Sequence, residues 1–129
     1  MKMELILEID VIIKEETAVA YQDKKVNMVT FVGQAKSHYF HGEIEVIGTD
    51  TQFIHDKKLI LSARYMLSGY DLEGQACKIF IQNEGRPENL IPMVVTDSKA
   101  LKFLNDAKLT SSVSATDKGV LVKVFKHNL

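Results

Sequence analysis

Leu59-Ile60-Leu61-Ser62-Ala63-Arg64-Tyr65-Met66-Leu67, then a glycine-bearing turn, then Cys77-Lys78-Ile79-Phe80-Ile81-Gln82-Asn83-Glu84-Gly85, is the stretch from which the fold is read. Successive side chains of a strand point to opposite faces. Here Leu59, Leu61, Ala63, Tyr65 and Leu67 share one face, and Ile60, Ser62, Arg64, Met66 and Ser68 the other. The second run alternates in the same way, so the two read as a β-hairpin whose turn is Gly69-Tyr70-Asp71-Leu72-Glu73-Gly74.

The same period of two extends outward in both directions. Met3, Leu5, Leu7, Ile9, Val11 and Ile13 form one apolar face near the start. Further strands are expected over Val26 to Val32, Tyr39 to Val46, Thr51 to Ile54, Met93 to Val95, Leu109 to Val113 and Val120 to Phe125. Gly48-Thr49-Asp50, Asp56-Lys57-Lys58, Asn83-Glu84-Gly85-Arg86-Pro87 and Asp117-Lys118-Gly119 read as turns between them. One short helix is expected over Ser98 to Ala107, capped by Asp97 or Ser98, with Leu101 and Leu104 on its buried stripe. So many antiparallel strands of similar length expose edges unless they close on themselves. The expectation is mainly β: a single antiparallel up-and-down β-barrel domain over residues 1–129, with one short helix near the C-terminal third. A two-sheet sandwich produces the same alternation.

At 129 residues and 46% hydrophobic composition the chain has the size of one domain able to bury its own core. A formal net charge of -1, with no Lys/Arg run, argues against nucleic acid as a partner. The first ten residues interleave acids with apolar residues, which fits neither a signal peptide nor a membrane span. Cys77 is the one cysteine, so no intrachain disulfide forms, and a cytoplasmic location is expected. No cofactor is expected, because a phosphate-cradling glycine loop, a nucleophile elbow and a helical histidine pair are all missing. His38 and His41 stand three apart on a strand and face opposite ways, which disfavours a zinc site. Asp71, Glu73 and Gly74 lack the spaced oxygen ligands of a calcium loop.

The polar residues carry what chemistry there is. If the Leu59–Leu67 apolar face lines the interior, Arg64 points outward, where Glu43 or Glu45 can pair with it. If the lumen is polar, it holds Arg64, Asp50, Gln52 and His41, and Arg64 becomes a fork for an anionic group with Asp50 or His41 as its proton-transfer neighbour. Both directions are open from sequence. Tyr65 and Asn83 fall on the apolar sides of their strands, so each is either a satisfied core group or a group that orients a ligand.

Gly33-Gln34-Ala35, Phe40-His41-Gly42-Glu43-Ile44, Gly48-Thr49-Asp50-Thr51-Gln52, Ala63-Arg64-Tyr65-Met66-Leu67, Asp71, Gly74 and Asn83-Glu84-Gly85, in that order and spacing, resemble the bacterial domain-of-unknown-function family 3237, also called uncharacterised protein family 0311. The resemblance runs from about Met3 to Phe125. It implies a β-barrel similar in shape to ligand-binding barrels, with Asp50, Arg64, Tyr65, Asp71 and Asn83 at the family's polar positions. Two departures stand out. Ser62 occupies a position where the family often has Asp, and the Arg86–Pro92 connection is shorter than the family's aromatic-bearing loop.

Three functions follow as expectations. The first is a barrel binding a small organic molecule, with Asp50, Arg64, Tyr65, Asp71, Asn83 and His41 as the candidate ligand-binding residues. The second is an isomerase, cyclase or lyase moving a proton on that molecule, with Asp50, His41 and Tyr65 as candidates. The third is an interaction module that forms a homodimer through residual apolar residues such as Ile6, Ile12, Ile60, Met66 and Phe80.

Overall fold

Nine strands make up most of the computed structural model, which describes residues 2–128. They are β1 (Lys2–Tyr21), β2 (Lys24–Lys36), β3 (Phe40–Ile44), β4 (Gly48–His55), β5 (Lys58–Asp71), β6 (Ala76–Arg86), β7 (Asn89–Thr96), β8 (Leu109–Ala115) and β9 (Gly119–Asn128). Consecutive strands pair antiparallel except β3 with β4, and β1 pairs with both β2 and β9, so the sheet closes on itself. The chain is an up-and-down β-barrel, and the sandwich alternative falls with the closure. Among the described residues no helix is long and apolar enough to cross a membrane.

β3 and β4 are not the hairpin partners that the turn signal at Gly48-Thr49-Asp50 suggested. Both run antiparallel to β2 and to β5, so they follow one another along a single position of the ring. Glu43 pairs with Gln34 and Gly48 with Phe31, so five steps on one side face three on the other. The two extra residues bulge out around Val46, whose φ of 63° lies in the left-handed region. Gly48, Thr49 and Asp50 are therefore strand, and Asp50 faces the lumen instead of a turn.

Bulges also reset β1. The register with β9 shifts between Leu5 and Leu7, which buries both Ile6 and Leu7 and leaves Met3 and Leu5 exposed on what had read as the inner face. A second shift against β2, between Ile13 and Glu15, pairs Glu16 with Val29 and turns Glu16 inward. Of the other residues on the second apolar set, Ile60 and Met66 stand exposed on the outer face, whereas Ile12 and Phe80 are half-buried.

One end of the barrel is plugged. Between β7 and β8 the chain forms a single 3-10 turn, Lys102–Asn105, in place of the longer helix expected from Ser98 to Ala107. The Asn105 side-chain amide donates to the Lys102 carbonyl (3.0 Å), the acceptor that a continuing α-helix would use, and Asn105 Oδ1 accepts from the Thr96 N–H (2.9 Å). Leu101 and Leu104 are buried as the stripe predicted, packed in the core with Phe40, Leu67, Ile79 and Val124. Neither Asp97 nor Ser98 caps the turn, whose N-cap is Leu101 with no side-chain cap; Ser98 Oγ instead accepts from the Leu101 N–H (3.1 Å) and braces the chain leading into it. The hairpin turns at the opposite end are tight. Asp56 and Lys57 both adopt left-handed φ, of 53° and 65°, as a two-residue hairpin requires. At the β6–β7 turn the strand continues through Gly85 to Arg86, so Asn83 lies within a strand and not in the turn its neighbours suggested.

Candidate functional site

The lumen above the plug encloses a cavity of about 290 Å³ that reaches the end of the barrel carrying the tight hairpins. Register arranges its lining in layers. Glu16, Val29, Asp50, Ala63 and Asn83 are successive cross-strand partners and share one layer. Ala18, Asn27, Gln52 and Leu61 form the layer nearer the mouth. Tyr65, two residues beyond Ala63, lies one layer deeper, where its ring meets Phe31 edge-on at 5.5 Å between centroids. Two small residues create the space. Ala63 separates Asp50 from Asn83, and Gly48 lets the Phe31 ring lie against its backbone, where a Cβ would overlap the ring.

The polar groups of this apolar chamber are partly tied together. Asn27 Nδ2 donates to Gln52 Oε1 (3.2 Å), and Gln52 Nε2 donates to Asp50 Oδ2 (3.0 Å). Ser111 Oγ donates to Asn83 Oδ1 (2.8 Å). Among the described residues, two buried side-chain atoms of the chamber have no hydrogen-bond partner: Asp50 Oδ1 and the Tyr65 hydroxyl. A third unpartnered atom, Thr30 Oγ1, does not line the cavity. Tyr65 is only 4% exposed, and burial pushes its phenol well above the ordinary 10.0, which keeps it a neutral hydroxyl able to donate. Most buried polar atoms find a partner, so these two in one cavity are exceptions, one able to accept and the other to donate a further hydrogen bond.

Asp50, Tyr65 and Asn83, three of the residues singled out in the sequence, therefore come together. Arg64 does not join them. It alternates with Ala63 and Tyr65, points to the outer face between Thr49 and Gln82, and is exposed. Glu45, offered above as its outer partner, pairs instead with Lys78 at 2.9 Å. His41 is exposed on β3 between Lys36 and Tyr70, facing away from the lumen because its neighbour Phe40 is buried. Asp71 sits at the plugged end. Its Oδ2 accepts from Ser98 Oγ (2.7 Å) and its Oδ1 from the N–H groups of Glu73 (2.9 Å) and Gln75 (3.1 Å), so it locks the β5–β6 turn to the plug. The polar lumen built around Arg64 and His41 is thus replaced by an apolar one with Asp50 and Gln52 set into it.

Glu16, Asn27 and Ser111 escaped the sequence reading. Glu16 was hidden by the Lys14 bulge, which reverses the parity that the run from Leu7 to Ile13 predicts. Asn27 sits inside an apolar run and Ser111 inside Thr110-Ser111-Ser112, where nothing local separates a lumen group from a surface one.

No protein-family model matches the chain, and no curated protein matches it. In structure it is similar to a protein of unknown function from Clostridium acetobutylicum, with a TM-score of 0.84 and 21% identity over 99% of this chain and 100% of that one. It is also similar to an enzyme from Penicillium herquei, with a TM-score of 0.78 and 13% identity over 97% and 92% of the two chains. A β-barrel-like protein from Acinetobacter baumannii aligns at a TM-score of 0.74 and 16% identity over 97% and 96%. The shared property at these identities is the barrel.

Proposed function

We propose that the chain binds a small, partly apolar organic molecule inside the barrel, and that it belongs with the family 3237 barrels it resembles. The observation that carries the reading is the pair of unpartnered buried atoms, Asp50 Oδ1 and Tyr65 Oη, in one chamber open at one end. An unmet buried hydrogen bond costs about 1–3 kcal/mol, a cost that a bound molecule removes. The chamber volume of about 290 Å³ is close to twice the roughly 150 Å³ that accommodates benzene in an engineered cavity, so a one-ring or two-ring molecule is the expected size.

Native mass spectrometry of gently purified protein tests this. A retained non-covalent mass should survive Arg64→Ala, because Arg64 points away from the chamber, and disappear in Ala63→Phe, which fills it. Retention of the same mass by a folded Ala63→Phe protein would place the molecule elsewhere and reject the lumen.

A second reading, proton transfer, is favoured by the tether on Asp50. One carboxyl oxygen is held by Gln52 and the other is free, with a neutral phenol one layer below. That a barrel of the same shape from Penicillium herquei is an enzyme supports the reading. In heavy water the bound molecule should gain deuterium at carbon with wild-type protein and not with Asp50→Asn; equal exchange in both rejects Asp50 as the base.

A further inference from the structure

The charges around the chamber are all of one sign. Its lining includes two acids, Asp50 and Glu16, and no Lys, Arg or His. Lys25 is on the inner face of β2 but lies two layers nearer the solvent than Val29, the partner of Asp50, and is exposed beyond the mouth. Asp50 thus meets one amide, from Gln52, and no cation, although its Oδ1 is buried. Buried carboxylates are ordinarily paired with a positive charge or fully hydrogen-bonded. Glu16 is exposed near the mouth in the same layer as Asp50, so a molecule that has passed Lys25 meets two carboxyl groups at this level of the barrel. Below this layer the walls are Phe31 and Tyr65, with Val11 and Val122 around them. The Tyr65 hydroxyl at that depth is itself unpartnered and almost completely buried.

Resting on the reading that the lumen binds a small molecule, we infer that this molecule is a compact ring-bearing amine, bound as its ammonium ion with the nitrogen at Asp50 Oδ1 and the ring packed below against Phe31 and Tyr65. The ammonium supplies the missing cation and donates to the free oxygen. The ring fills the apolar depth, and a polar atom on its far side accepts from the Tyr65 hydroxyl. Anions are rejected, because they would meet two carboxyl groups with no compensating cation. Arg64, which a polar lumen would have offered as an anion fork, faces the other way.

Four probes of one shape separate the head groups: 2-phenylethylamine, 2-phenylethanol, propylbenzene and 3-phenylpropionate, titrated calorimetrically into purified full-length protein at neutral pH. The amine should bind about tenfold or more tighter than the alcohol, the increment of a charge-assisted over a neutral hydrogen bond, and the propionate should not bind. Asp50→Asn should remove the advantage of the amine while leaving propylbenzene unchanged. Tyramine should bind tighter than 2-phenylethylamine by an increment that Tyr65→Phe abolishes. If the alcohol or the propionate equals the amine, or if Asp50→Asn leaves the preference intact, the amine assignment is overturned while the lumen remains the binding site. If no probe binds wild type, the assignment is overturned as well. If probes bind Ala63→Phe as they bind wild type, the lumen reading itself fails.

Discussion

Tyr65 and Asp71 are both buried polar groups, and their hydrogen bonds assign them opposite roles. Tyr65 keeps an unpartnered hydroxyl in the chamber, so removing that hydroxyl also removes a desolvation cost. Tyr65→Phe should therefore melt at the same temperature as wild type or higher, while losing affinity for a bound molecule. A melting point lowered by several degrees would show that the hydroxyl is structurally engaged. Both carboxyl oxygens of Asp71 accept hydrogen bonds, and the one from Ser98, with those from Gln75 and Glu73, holds its carboxyl below the ordinary 3.8 despite an opposing push from burial. A carboxyl with a lowered folded-state pKa stabilises the fold fully above the unfolded value, and that contribution is lost as the pH falls through the folded value. Melting curves of wild type and Asp71→Asn should therefore differ by a constant amount near neutrality and converge below the ordinary value. A gap that widens in acid would contradict the Ser98–Asp71 lock.

Bulges in single strands determine which residues enter the chamber. Lys14 is the unpaired residue between Ile13, which pairs with Phe31, and Glu15, which pairs with Thr30. Deleting it joins two correctly facing segments into a regular ladder, with Ile13 and Glu16 still inward. The deletion should leave the fold and the chamber intact, with an amide fingerprint spectrum changed only near β1 and β2. Wide changes through β5 and β6 would mean that the bulge supports the barrel as a whole. The two-residue bulge around Val46 shifts the register against β2 by two residues and, being even, keeps Ile44 at the plugged end and Asp50 in the chamber on the same inward face. The 3-10 turn acts through its side chains: Asn105 ties it to Thr96 at the end of β7 and thereby ends the helix early.

Closure brings the two ends of the chain together, since Lys2 pairs with Asn128 and β1 lies along most of β9. Contacts between residues more than a hundred positions apart must form before the sheet loses its edges, and chain topologies of this kind fold in milliseconds to seconds. Stopped-flow refolding should give a main phase in that range, with submillisecond completion counting against a closed native barrel as the species formed. The same closure makes the chamber. Eight strand positions give an interior just wide enough to be filled by side chains or to hold one small ligand, and Ala63 and Gly48 tip it toward the second outcome.

Period-two alternation was legible in the chain itself because side-chain direction along a strand is a local property. It determined the β class, the meander and the grouping of Leu59, Leu61, Ala63, Tyr65 and Leu67 on one face. The buried stripe of Leu101 and Leu104 was legible for a similar reason. The direction of Arg64 was not, because alternation separates two faces without saying which one closes around the lumen. Glu16, Asn27 and Ser111 were not legible either. Their inward placement depends on bulges and on partner strands distant in sequence, and the gathering of Asp50, Tyr65 and Asn83 around one cavity exists only after β1 has met β9.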